Sequence, residues 1–211
     1  MNRFFSIVIS LLVLFALSCS SKFQPVDGSS SFTDPRDSQT YRMVTIGNTT
    51  WMAENLNFKT GKSWCYDDTD SNCQEHGRLY DWNTAVSACP FGWRLPDTAD
   101  WDNLAGAVGG QLDENGGWII AGEKLKSKIG WCNYYDGTDG NGTDDFGFSA
   151  LPGGFRSADG SFSSVCLTGD WWSATKYNAS RAWGRNIYRG SYFFSGDRDN
   201  DDGYSVRCIK K

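Results

Sequence analysis

The chain has 211 residues, with ten Trp, nine Tyr, thirteen Phe and 24 Gly, and a formal net charge of −5. That balance excludes a basic nucleic-acid binder, and the aromatic content excludes a disordered chain. The glycines follow no three-residue period and no apolar heptads recur, which excludes collagen and a long coiled coil and leaves one loop-rich globular domain.

Met1-Asn2-Arg3 precedes an apolar run from Phe4 to Leu17, broken only by Ser6 and Ser10. A positive start, a short apolar stretch and small residues at its end predict a secretory signal over 1–18, too short to span a bilayer as a helix. Ala16-Leu17-Ser18-Cys19 resembles a bacterial lipobox. The resemblance implies a lipidated, palmitate-bearing Cys19 and a protein of the cell envelope, anchored at the outer membrane or cell surface. Residues 19–40 are rich in Ser, Asp and Pro and read as a lipidated, solvated tether, with the globular domain over 41–211.

Tyr41 to Ile46 and Thr49 to Met52 are β-prone and flank the turn signal Gly47-Asn48, so a hairpin opens the domain. Cys65 and Cys73 bracket the polar stretch Tyr66 to Asn72, which suggests a local hairpin staple. Asp81 caps a short predicted helix with Trp82, Ala85, Val86 and Cys89 on one face, closed by Pro90. The strongest helix signal follows: Asp97 as cap, Asp100 three residues on, then Trp101, Leu104, Ala105 and Val108, ended by Gly109-Gly110. One further helical turn is predicted within 122–128.

After Gly130 the predicted strands are Trp171 to Thr175, Arg181 to Arg189 and Tyr204 to Ile209, separated by Gly and Asp. In the last of them Tyr204, Val206 and Cys208 share one face, which turns Cys208 inward. Two main helices in the first half and strands at both ends predict an α+β domain, with short antiparallel sheets, pairing terminal strands and long loops. Besides Cys19 there are six cysteines, an even number, with no C-x-x-C and a single His. In an exported chain that favours three disulfides over metal ligands or a redox pair, and leaves the connectivity open.

Gly47–Asn57, Cys73–Trp82, Cys89–Pro96, Asp144–Gly154, Trp171–Thr175 and Ser205–Cys208 resemble, in order, the Fibrobacter succinogenes major paralogous (FISUMP) domain, a family of secreted and lipid-anchored bacterial surface proteins. That family in turn is similar to the C-type lectin-like fold of formylglycine-generating enzymes, whose Arg-Leu-Pro motif corresponds to Arg94-Leu95-Pro96. The resemblance implies a C-type lectin-like fold with a disulfide from the first helix to the last strand, Cys89 to Cys208, which leaves Cys132 for Cys166.

The formylglycine-generating relatives are oxidases that hold copper on a late cysteine pair, and after Cys166 only Cys208 remains here. His76, the sole histidine, lies in a polar stretch and reads as a surface or hydrogen-bonding residue rather than a triad base. Glu54, after Trp51-Met52-Ala53, is the one acid with apolar neighbours and reads as a buried, hydrogen-bonded carboxylate rather than a glycosidase acid. The Asp-rich strings Asp136 to Asp145 and Asp197 to Gly203 read as solvated turns, with an irregular Ca²⁺ site as the lesser alternative and no other cofactor expected.

Trp51, Trp82, Trp93 and Trp101 fall on apolar faces and read as core. Tyr134, Tyr135, Tyr177, Tyr188, Tyr192, Phe193 and Phe194 lie in polar loop contexts, where an exposed ring can stack on a sugar face or anchor a protein contact. The sequence therefore predicts a non-catalytic, lipid-anchored surface domain for recognition or adhesion, with a polysaccharide or a surface protein as partner. Two alternatives are carried: a glycan-active or oxidative enzyme of the formylglycine-generating type, and a structural interaction module of the envelope.

Overall fold

The structure, a computed structural model, describes residues 30–188 and 190–211; the predicted signal, Cys19 and the first part of the tether lie outside the described residues. The chain opens with β1 (Ser31–Thr33), β2 (Thr40–Ile46), β3 (Thr49–Met52) and β4 (Ser63–Trp64). Next come α1 (Asp70–His76), β5 (Leu79–Tyr80), α2 (Trp82–Ala88), β6 (Trp93–Arg94) and α3 (Thr98–Ala107). After β7 (Gln111–Leu112), β8 (Trp118–Ile119) and α4 (Ala121–Leu125), an irregular stretch leads to β9 (Phe155–Arg156) and β10 (Phe162–Ser163). The chain ends with β11 (Gly169–Lys176), β12 (Arg181–Ile187), β13 (Phe193–Asp199), β14 (Tyr204–Ser205) and β15 (Ile209–Lys210).

The β2–β3 hairpin turns at Gly47, as its sequence signal predicts, and forms a five-stranded sheet in the order β1-β2-β3-β15-β6. Ile209 of the last strand pairs with Trp51 of β3, so the two ends of the domain meet in one sheet. A second sheet has eight strands in the order β4-β5-β14-β11-β12-β13-β8-β7, and β9 and β10 form a separate two-stranded ribbon.

These sheets overturn the two-main-helix, α+β, C-type lectin-like arrangement expected from the sequence: the described residues are mostly β, with four short helices among them. The two predicted helices form and end at their sequence stops, but they are short. Pro90 follows α2, and Gly109-Gly110 follows α3, the longest at ten residues. After Gly130 the long strands β11, β12 and β13 pair with one another, and the two-residue strands β4, β5, β7, β8 and β14 extend them into the eight-stranded sheet.

The C-terminal segment also differs from its predicted form. The sequence predicts a single strand from Tyr204 to Ile209, but the chain crosses between sheets there. β14 pairs with β5 and β11, Val206 O and Cys208 O accept from Leu56 N and Met52 N, and β15 enters the other sheet. Both predicted faces are consequently buried, Ser205 and Arg207 as fully as Val206 and Cys208.

Two aromatic clusters fill the interior. Trp101 of α3 lies at the centre of one, with ring centroids of Trp51 at 4.9 Å, Phe193 at 5.8 Å, and Phe148 and Trp171 at 6.3 Å. Each such pair adds about 0.5–1.5 kcal/mol to the transfer free energy of the rings. The second cluster gathers Tyr41, Met52, Tyr80, Trp82, Trp93, Trp172 and Val206. Trp171 and Trp172 are neighbours on β11 and point to opposite faces, so one strand supplies both clusters. The sequence assignment of Trp51, Trp82, Trp93 and Trp101 to the core holds.

Between the clusters runs a polar link. The fully buried Arg207 donates to Asn55 Oδ1 through Nε at 3.1 Å and Nη2 at 2.8 Å, and to the carbonyls of Met52 and Phe148. Asn55 Oδ1 also accepts from Trp171 Nε1 at 2.8 Å. Burial pulls the Arg207 guanidinium down to about 9, and carbonyl dipoles and the Phe148 face stand in for the carboxylate it lacks. Gly77, at φ 77°, ends α1 against this link, since a Cβ there would collide with Asn55.

Three disulfides staple the domain: Cys65–Cys73, Cys89–Cys208 and Cys132–Cys166. The stretch between Cys65 and Cys73 is a 3-10 turn (Tyr66–Asp68) running into α1, instead of the expected hairpin. β1 lies inside the stretch read as tether. Phe32 packs on Trp93 with centroids 5.2 Å apart, and the buried Asp34 pairs with Arg36 at 2.6 Å, so ordered packing extends upstream of Tyr41.

Candidate recognition surface

Two of the late loops selected for their aromatic residues meet in space. The irregular stretch after α4 and the turn between β12 and β13 border an open cavity of about 420 Å³, lined by Glu123, Lys126, Tyr134, Asp139, Gly190 and Ser191 among others. Gly190 takes φ 98°, a value open to glycine at little cost, and this lets the chain reverse between Tyr188 and Tyr192. The Cys132–Cys166 bridge and a bond from Cys132 N to Cys166 O hold the other wall.

The predicted contact residues divide into four groups. Tyr134 lines the cavity, and Tyr135 beside it is 95% exposed. Tyr188 and Tyr192 are exposed on the opposing turn, where the Tyr192 ring stacks on Phe194 at 5.1 Å and 5° between planes. Tyr177 is exposed elsewhere, edge-on to Trp183 at 5.3 Å. Phe193 is the correction: it is 1% exposed and packs on Trp101 inside the first cluster. Adjacent strand residues face opposite ways, and the pairing of Phe193 with Ile187 turns Phe193 inward and Phe194 outward.

Lys126 is the cavity residue that the sequence did not reveal. Its stem is buried, its Nζ donates to Gly140 O at 2.5 Å, and it lies 4.9 Å from the Trp131 ring centre. Burial lowers its pKa, against the opposing pull of Glu123 and Asp139. A lysine in a short polar helical stretch reads as solvated, and only the fold over it creates the burial.

Asp136 to Asp145 runs through loop and turn, whereas Asp197 to Asp199 end β13 and the turn follows at Asn200 and Asp201. Asp136 Oδ1 accepts from Thr138 N, Asp139 Oδ1 from Asn141 N, and Asp199 Oδ1 from Asp201 N, each at 2.9–3.0 Å. Among the described residues no group of three or more His, Cys, Asp or Glu side chains is placed to hold a metal ion. Glu54 differs from its expected burial. It is half-exposed and accepts from Arg42 N at 2.6 Å and from Arg42 Nε. His76 is buried with no partner for Nδ1, and Glu75 lies 3.7 Å from Nε2. Burial lowers its pKa, which keeps the ring neutral.

No helix among the described residues is long and apolar enough to cross a membrane. A family model described as Fibrobacter succinogenes major domain matches residues 44–210. No curated protein and no solved structure matches the chain.

Proposed function

The chain belongs to the Fibrobacter succinogenes major domain family, and from that premise we propose that it is a non-catalytic recognition module of the cell envelope that binds polysaccharide. One observation carries the reading: Tyr134 lines a cavity whose other wall is Gly190 and Ser191, and the residues close to these in the chain include the exposed rings of Tyr135, Tyr188, Tyr192 and Phe194, with one wall fixed by a disulfide. Exposed rings held by packing lose little entropy on binding, which suits them to stacking on sugar faces. The lipid on Cys19 and the stretch after it would hold this surface away from a membrane. In support of a binding role over catalysis, Glu54 is engaged by Arg42, and the buried His76 has Glu75 at 3.7 Å from Nε2.

The test is retention of the full-length chain on insoluble cellulose, xylan and mannan, each with and without a calcium chelator. Retention that survives the chelator and falls in Tyr134→Ala and Tyr192→Ala is the expected result. A chain that passes through all three polymers yet co-purifies with a surface protein would replace the glycan reading with an interaction module. The anchor is tested separately. Mass spectrometry of the mature chain should find an acyl mass on Cys19, and Cys19→Ser should move to the soluble fraction; an unchanged membrane fraction would count against it.

A further inference from the structure

Away from the late-loop cavity, a cleft of about 300 Å³ opens between the start of α3 and the middle of β12 and β13. Its walls follow from two periodicities. On the strands, Trp183 and Arg185 are two residues apart on one face, and the register pairs Arg185 with Ser195. On α3, Thr98 and Asp102 are four residues apart and therefore also share a face. The cleft is lined by these five residues.

Its polar geometry is fixed from below. Arg185 has a side chain only 2% exposed, and its Nη2 donates to Asp102 Oδ1 at 2.7 Å and to Thr98 O at 2.9 Å. Trp118 Nε1 donates to the same Asp102 Oδ1 at 3.0 Å. Two donors thus orient the Asp102 carboxylate through one oxygen. Its Oδ2 has no partner among the described residues, on a side chain that is 48% exposed. Beside it stands the half-buried ring of Trp183, fixed edge-on by Tyr177, and the exposed Ser195. Arg185 Nε is buried without a partner among the described residues.

We propose that this cleft is a second ligand site, one that seats a single unit of a neutral pyranose chain, with the sugar face against Trp183 and a hydroxyl donating to Asp102 Oδ2. The chemistry selects that class. A flat apolar wall beside one oriented acceptor and one hydroxyl matches a sugar ring, which is apolar on its face and hydroxylated at its edge. An acidic sugar is disfavoured, because Arg185 is already committed to Asp102 and the free oxygen of that carboxylate repels a second one. The volume is at the small end of ligand clefts, which suits it to one unit and makes it an accessory to a longer chain.

The test is calorimetric titration of the full-length chain with cellohexaose, xylohexaose and mannohexaose, and with an oligogalacturonate of equal length. At least one neutral hexasaccharide should bind and the oligogalacturonate should bind about tenfold more weakly or not at all. Trp183→Ala and Asp102→Asn should each weaken the neutral ligand by about tenfold, Trp183→Phe should restore part of the loss, and Phe91→Ala, a remote exposed ring, should leave it unchanged. Should Asp102→Asn fail to fold, with Arg185 left unpaired, the Trp183 pair decides by itself. Binding that is indifferent to Trp183→Ala overturns the cleft. So does retention on insoluble polymer without binding of any hexasaccharide, a result that leaves the late-loop reading standing. Tighter binding of the oligogalacturonate overturns the assignment to neutral sugars.

Discussion

Asp170 lies wholly inside the eight-stranded sheet, where Thr168 Oγ1 donates to it at 2.6 Å and Asn186 Nδ2 at 2.7 Å, with Arg198 and Tyr204 as charged or titratable neighbours. Burial pushes its carboxyl up to about 6, against the lowering pull of those two donors and of Arg198. Below about pH 4 both folded and unfolded chains hold the proton. Between there and about pH 6 only the folded chain does, and above it the fold must bury a charge. Stability contributed by this group is therefore full in acid and lost as pH rises through about 6, on the order of 3 kcal/mol. Asp170→Asn removes the titration, so its stability relative to the native chain should improve between about pH 4 and about pH 7.5 in urea unfolding. A gap that does not change with pH would show that Asp170 titrates as it would in water. None of this is legible in Gly169-Asp170-Trp171, which reads as a turn residue before a strand. The same limit applies to Phe193 and Phe194, since a single register step decides which one becomes core.

At the scale of elements, α3 was the most legible. Asp97 accepts from Asp100 N at 2.9 Å, Asp100 returns the bond to Asp97 N at 2.8 Å, and Arg94 clamps Asp100 from β6. The cap, the apolar spacing and the glycine stop are all local, so the sequence carries them. Asp97→Ala should lower stability by about 1 kcal/mol, read as a shift in the urea midpoint with unchanged slope, and no shift would mean that packing alone holds the helix. The helix α1 was missed because Asp70 to His76 is polar and shows no apolar period; the Cys65–Cys73 bridge and the buried Cys73 hold it in place. Strands of two residues, such as β5 and β6, carry no readable alternation and exist only because a distant partner completes the ladder.

For the molecule as a whole, the disulfides differ in reach. Cys89–Cys208 spans 119 residues and ties α2 to the crossing between the sheets, whereas Cys65–Cys73 spans 8. Loop-closure entropy gives the long bridge about 5 kcal/mol and the short one about 2.5 kcal/mol. Replacing Cys89 and Cys208 together by Ala should thus destabilise the chain about twice as much as replacing Cys65 and Cys73, compared by thermal unfolding. Equal losses would mean that native packing, more than chain entropy, sets their worth. The amino-acid sequence by itself determined the hairpin at Gly47, the capped helix after Pro96, the aromatic core around Trp51 and Trp101, and family membership, because these rest on neighbours within a few residues or on continuous motifs. The tertiary structure alone decided that the fold is mostly β, that Arg207 is buried on Asn55, that Phe193 turns inward, and that Arg185 orients Asp102 beside Trp183. Those outcomes depend on contacts between residues tens to more than a hundred positions apart, and burial at that range is set by which surfaces meet, which no local pattern of residues encodes.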